Sequence, residues 1–159
     1  MRPSYRTLAG RIRQEMPALA RVTQRAAGSL AAARHADDDR YVDAAALNLH
    51  AFYSGVERLF EQVARQVDDT LPEGPSWHAE LLAQMAAPVT DVRPPVITSD
   101  LHATLDRYRG FRHVVRNAYT YNLDAGQIDV LVTDVGATME MVTAQLAAFA
   151  DWLDAAAVE

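Results

Sequence analysis

Residues 101–122 read LHATLDRYRGFRHVVRNAYTYN, and the spacing of their apolar side chains decides the fold. Leu101, Leu105, Tyr108, Phe111, Val115 and Ala118 recur every three or four positions, which at about 100° per residue puts them on one helical face. That face must be buried. Thr98, Ser99 and Asp100 precede it with side-chain oxygens able to accept from the free N–H groups of a first turn, and Asn122 and Asp124 interrupt the pattern at the far end. The outward side is unusual for this chain. Arg107, Arg109, Arg112, Arg116 and His113 lie together with no acid among them, although the whole sequence carries a formal charge of −6. On a helical wheel Arg109, Arg112, Arg116 and Tyr119 share a sector of roughly 80°, flanked by His113 and Asn117. A merely solvated face would interleave signs for i to i+4 pairing, so the strip reads as a working surface. Gly110, in mid-helix, costs about 1 kcal/mol relative to alanine, which close approach of another helix would explain.

The pattern extends outward in both directions. Before it, an apolar stripe of Leu8, Ile12, Leu19, Val22, Ala26 and Leu30 marks a first helix over residues 4–36, which Pro17 should kink or divide. The run ADDDR at residues 36–40 breaks it. A second helix is predicted over residues 41–67, with Leu47, Phe52, Val56, Leu59, Phe60, Val63 and Val67 inward. His50, Tyr53, Glu57 and Arg58 are candidates for its other surface, where Glu57, Arg58 and Glu61 read as ordinary solvated charges. Pro72, Gly74 and Pro75 stop it, and residues 76–85 form a short helix with Trp77, Leu81, Leu82 and Met85 inward and His78 at the surface. Residues 88–95 (PVTDVRPP) should be a surface loop. Downstream, Asp124 to Gln127 has capping-box spacing, and Ile128, Leu131, Val132, Val135, Met139, Val142, Leu146, Phe149 and Leu153 hold a last seam. The expected architecture is all-α: an up-and-down bundle of four long helices and one short one, in a single domain over residues 1–159.

Composition narrows the function. Half of the 159 residues are apolar and none is cysteine, so disulfides and thiolate metal sites are excluded. No apolar run reaches the ~18 to 20 residues that span a bilayer, and the N-terminus lacks the apolar core of a signal peptide. A cytoplasmic protein without membrane contact is expected. A pI near 5.3 argues against general coating of nucleic acid, so any RNA contact must be local.

The blocks ALNLHAFYSGVERLFEQVA, SWHAELLAQM, RPPVI and YRGFRHVVRNAYTYNLD, in that order over residues 47–123, resemble the HepT-like proteins of the HEPN class. Those are helical toxins paired with minimal nucleotidyltransferases (MNT) in type VII toxin–antitoxin systems. The family motif is arginine, four residues, histidine, one residue, tyrosine. RHVVRNAY fits that frame with Arg112 on the arginine and Tyr119 on the tyrosine, but Asn117 stands at the histidine position. The resemblance implies a homodimer whose paired motifs form an RNA-cleaving cleft, cleavage by attack of the ribose 2′-hydroxyl without a metal or other cofactor, and neutralisation by an MNT antitoxin that attaches AMP to Tyr119.

The residue chemistry agrees with part of this. Arginine's fork of donors suits phosphate oxygens, which makes Arg112 the catalytic candidate and Arg109 and Arg116 the RNA phosphate contacts. A neutral Asn117 can orient a group but cannot move a proton, and loss of a general acid or base costs ~10² to 10⁴-fold. His113 is the candidate to compensate, although it points about 40° away from Asn117 on an ideal helix. Two readings therefore stand: an attenuated HEPN ribonuclease, or a non-catalytic HEPN module that docks a nucleotidyltransferase and presents a nucleotide or substrate; a third, a purely structural helical dimer, holds only if the basic strip proves salt-bridged and solvent-facing. For Tyr119, a phenol packed in the bundle stands beside the AMP acceptor.

Overall fold

The computed structural model describes residues 2–117 and 124–158, without the side chains of His113, Val114, Arg116 and Asn117. The described residues form the expected all-α bundle. The elements are α1 (Pro3–Ala36), α2 (Asp39–Val63) continued by a π-helical turn (Ala64–Asp68), α3 (Trp77–Ala86), α4 (Ser99–Asn117) and α5 (Ala125–Ala156). No described helix is long and apolar enough to cross a membrane.

Helix α1 runs unbroken through Pro17 for 34 residues, about 51 Å at 1.5 Å per residue. It packs along α2 and α5 and buries Leu8, Ile12, Leu19, Ala26 and Leu30. Gly55 marks a close approach of α2 to α1: a Cβ there would collide with Leu19 Cδ2. The Asp-rich break behaves as its chemistry requires. Asp37 ends α1 in the left-handed region (φ 49°), and the Asp38 carboxylate accepts from the Arg40 N–H at 3.0 Å to cap α2.

On α2 the stripe Leu49, Phe52, Val56, Leu59, Phe60 and Val63 is buried as read, but Leu47 is 65 % exposed. At about 100° per residue Leu47 stands roughly 160° to 180° around the helix from Leu49 and Val56, so it points away from the buried stripe. On α3, Leu81, Leu82 and Met85 are buried and Trp77 only half-buried. Leu101, Leu105, Tyr108 and Phe111 of α4 lie in the core with Val115 against it, while Ala118 and Asn122 fall outside the described residues. Tyr108 donates its hydroxyl proton to the Leu131 carbonyl at 2.8 Å and meets Phe52 edge-on at 5.5 Å between ring centres, tying α4 to α5 and α2.

Two polar devices place α4. Thr98 caps it by accepting from the Leu101 N–H at 3.2 Å, and Gln145 of α5 holds that cap, accepting from the Thr98 N–H at 2.8 Å and donating to its Oγ1 at 3.1 Å. At the other end of α5, Asp124 accepts from the Gly126 N–H at 2.9 Å. The second device corrects the expectation of a surface loop at residues 88–95. Most of that loop is exposed, but Arg93 is buried. All five of its N–H groups are used: Nε and Nη2 donate to Asp68 at 2.5 and 2.8 Å, Nη1 to the Ala87 and Pro94 carbonyls at 3.0 Å, and Nη2 to the Gln84 carbonyl at 3.1 Å. The wide π-helical turn carries Asp68 to this position. Removing one member of such a pair leaves the other charge buried alone. Arg93→Met should lower the stability to urea by about 3 to 5 kcal/mol, and the double variant Asp68→Leu, Arg93→Met should recover much of that loss.

Candidate functional site

The acid that the basic strip lacks in sequence comes from another helix. Glu57 sits on α2 four residues after Tyr53 and three before Phe60, in register with buried residues, and is itself only 3 % exposed. It is not the solvated charge its neighbours Arg58 and Glu61 suggested. A carboxylate so placed is tolerable only with partners, and it has one for each oxygen. Arg112 Nη1 of α4 donates to Oε1 at 2.5 Å, and His78 Nδ1 of α3 lies 2.7 Å from Oε2. Arg112 Nη1 and His78 Nδ1 are 3.1 Å apart.

His78 is therefore not a free surface histidine. Gly74 (φ 94°) turns the chain after α2, and the Trp77 N–H bonds the Gly74 carbonyl at 3.3 Å, so His78 enters the first turn of α3 directed at Glu57. The Trp77 ring lies against the imidazole, centres 3.6 Å apart and planes tilted by 30°. One side chain from each of three helices thus meets at a single carboxylate. Their exposures grade outward, with Glu57 at 4 %, Arg112 at 17 % and His78 at 25 % by side chain. Arg112 Nε is buried with no hydrogen-bond partner among the described residues.

Two further arginines of the strip, Arg109 and Arg107, are also answered by acids. Arg109 Nε pairs with Asp106 at 2.7 Å and Arg107 with Asp134 of α5 at 3.3 Å. A Cβ at Gly110 would meet nothing within 4 Å, so no described helix accounts for the glycine. Beside it lies an open groove of about 510 Å³ lined by Arg107, Gly110, Gln127 and the half-exposed Val130. The side chains of Arg116, Asn117 and His113 and all of Tyr119 fall outside the described residues. Of the expected site residues, the structure places Arg112 and Arg109, and adds Glu57 and His78. In sequence Glu57 differs from Arg58 and Glu61 only in standing four residues after Tyr53 and three before Phe60. His78 carried none beyond its place at a helix start. Among the described residues, no group of three or more His, Cys, Asp or Glu is arranged to hold a metal ion.

The site's electrostatics reach Tyr53, fully buried one turn before Glu57. Burial, and then the Glu57 charge, push its phenol well above the usual tyrosine range, and Arg109 and Arg112 offset only part of this. An unfolded tyrosine loses its proton near pH ~10, so above that pH the folded chain binds more protons than the unfolded one and stability falls as pH rises. Tyr53→Phe should remove this share of the alkaline loss. The check is the fall of the urea midpoint with pH above about 10, which should be shallower in the variant than in the wild type.

Comparison with curated proteins and with solved structures returns no match. A family model described as HepT-like protein matches residues 44–153, a span that holds Glu57, His78 and Arg112 and covers more than half of the chain. With the helical bundle, that match makes this chain a member of the HepT-like family.

Proposed function

We propose that this chain is the HepT-like toxin of a toxin–antitoxin pair, a cytoplasmic, attenuated HEPN ribonuclease built from one domain over residues 1–159. The observation that carries the reading is the fixed guanidinium of Arg112, held at 2.5 Å by Glu57 inside the family-matched span. An arginine tethered by one N–H keeps its remaining donors in a set direction, as recognition of a phosphodiester requires. RNA is cleaved by attack of the 2′-hydroxyl on the adjacent phosphate, with Arg112 stabilising the charge that gathers on the phosphoryl oxygens and Arg109 and Arg116 contacting flanking phosphates. A homodimer supplies the second wall of the cleft. An MNT-type nucleotidyltransferase acts as antitoxin, and AMP attached to Tyr119 puts a phosphate where the RNA phosphate would sit.

The second reading is a non-catalytic module that docks the nucleotidyltransferase. Two features favour it: Asn117 has no proton to give, and Glu57 cancels the charge of Arg112, leaving directed donors with little net field. Expression in growing bacteria with analysis of cellular RNA decides between the two. The toxin reading expects slowed growth and cleaved RNA, both lost in Arg112→Ala. Growth and RNA unaffected by the wild-type chain, together with measurable affinity for the nucleotidyltransferase, select the module.

Gly110 tests the dimer. Alanine there fills open space and favours the helix by about 1 kcal/mol, so the isolated subunit should not be weakened. If the groove beside Gly110 receives the partner helix, sedimentation of Gly110→Ala should show the dimer shifted toward monomer at micromolar concentration while secondary structure is retained. A monomeric wild type would remove the two-fold cleft.

A further inference from the structure

We infer that His78 is the proton acceptor of this site, taking the place that Asn117 leaves empty. The inference rests on the ribonuclease reading above and adds a residue to it from a different helix. Three observations carry it.

The first is the tautomer. A carboxylate oxygen only accepts, so the 2.7 Å contact between Glu57 Oε2 and His78 Nδ1 requires the ring proton on Nδ1. The 3.1 Å separation from Arg112 Nη1 is then two donors side by side on one carboxylate, and not a bond between them. With Nδ1 protonated, the lone pair of a neutral imidazole is on Nε2, the far end of the ring. A carboxylate that fixes a histidine in this way is the usual support for a general base.

The second is position. Glu57 binds Arg112 through one oxygen and His78 through the other, so the phosphate-binding group and the base share one anchor and keep a fixed separation. The burial gradient from Glu57 outward leaves the imidazole at the open side of the cluster, with the Trp77 ring against it. Among the described residues no hydrogen bond engages Nε2. The groups facing the ring are Glu57 of α2 and Arg112 of α4, with Trp77 beside it on α3.

The third is chemical need. The four-residue spacing from Arg112 ends on an asparagine, and cleavage without a base would forfeit the ~10² to 10⁴-fold that proton transfer contributes. In the step we assign, the ribose 2′-O–P bond forms and the P–O5′ bond breaks. The 2′-hydroxyl proton passes to His78 Nε2, the departing 5′-oxygen is protonated by water, and the hydroxide so formed takes the proton back from His78. The products are a 2′,3′-cyclic phosphate and a 5′-hydroxyl, with no change of oxidation state.

The test uses purified full-length protein and a single-stranded RNA oligonucleotide. His78→Asn is the informative variant, because the amide nitrogen of asparagine takes the place of Nδ1 and keeps the donor to Glu57 while Nε2 is lost. Its cleavage rate should fall ~10² to 10⁴-fold with an unchanged melting temperature. If that variant melts early, His78→Gln replaces it. An RNA with sulfur in place of the bridging 5′-oxygen needs no acid for its leaving group, so the variant should stay slow on it. Recovery on the sulfur substrate would make His78 an acid and overturn the assignment. Wild-type cleavage undiminished in both His78 variants would overturn it while leaving the ribonuclease reading intact. Wild-type protein that leaves the oligonucleotide whole would overturn both.

Discussion

One buried carboxylate organises the working part of this protein. Glu57 projects from α2 into a region where an unpaired charge would be several kcal/mol too costly to keep, and the structure answers it with a guanidinium from α4 and an imidazole from α3. Pairs of this kind seldom add much stability over a well-packed apolar alternative. Their consequence is geometric. Because each oxygen of the carboxylate has its own partner, Arg112 and His78 are placed relative to each other as well as to the core.

The rest of the bundle supports that placement. Helices α1 and α5 form a long, mainly apolar back against which α2 lies, with Gly55 letting α1 and α2 close on each other at Leu19. The loop before α4 is fixed by the saturated Arg93 guanidinium on Asp68, and the start of α4 by the Thr98–Gln145 cap. Both lie more than ten residues before Arg112, yet a helix is regular enough to carry the position of its first turn to its fourth. The Tyr108 hydroxyl on the Leu131 carbonyl then sets the rotation of α4 about its axis, which decides that Arg112 meets Glu57.

This arrangement changes what the basic strip means. Arg107, Arg109 and Arg112 each face an acid, from α5, from α4 itself and from α2, so the strip is less a field of positive charge than a set of oriented donors. Surface pairs such as Arg107 with Asp134 are weak and screened by salt, and a polyanion can displace them. The Arg112 pair is mostly buried and persists. A site built in this manner binds phosphate by direction more than by attraction, in keeping with a chain whose overall charge is −6.

Much of this was legible in the order of residues. Three- and four-residue periodicity in residues 101–115 and 128–153, the Asp-rich break, and the caps at Thr98 and Asp124 follow from helix geometry and local hydrogen bonding, so they need no tertiary information. The frame of Arg112, Asn117 and Tyr119 was likewise visible, and with it the resemblance to HepT-like proteins. What the sequence could not supply is any pairing between residues far apart in the chain. Glu57 and Arg112 are 55 positions apart, Glu57 and His78 21, and Arg93 and Asp68 25. In sequence, each of these charged groups resembles the solvated ones beside it, because a side chain's charge is local while its burial is set by which helices pack together. Tertiary packing alone therefore decided that Glu57 is a buried anchor and that His78 faces it.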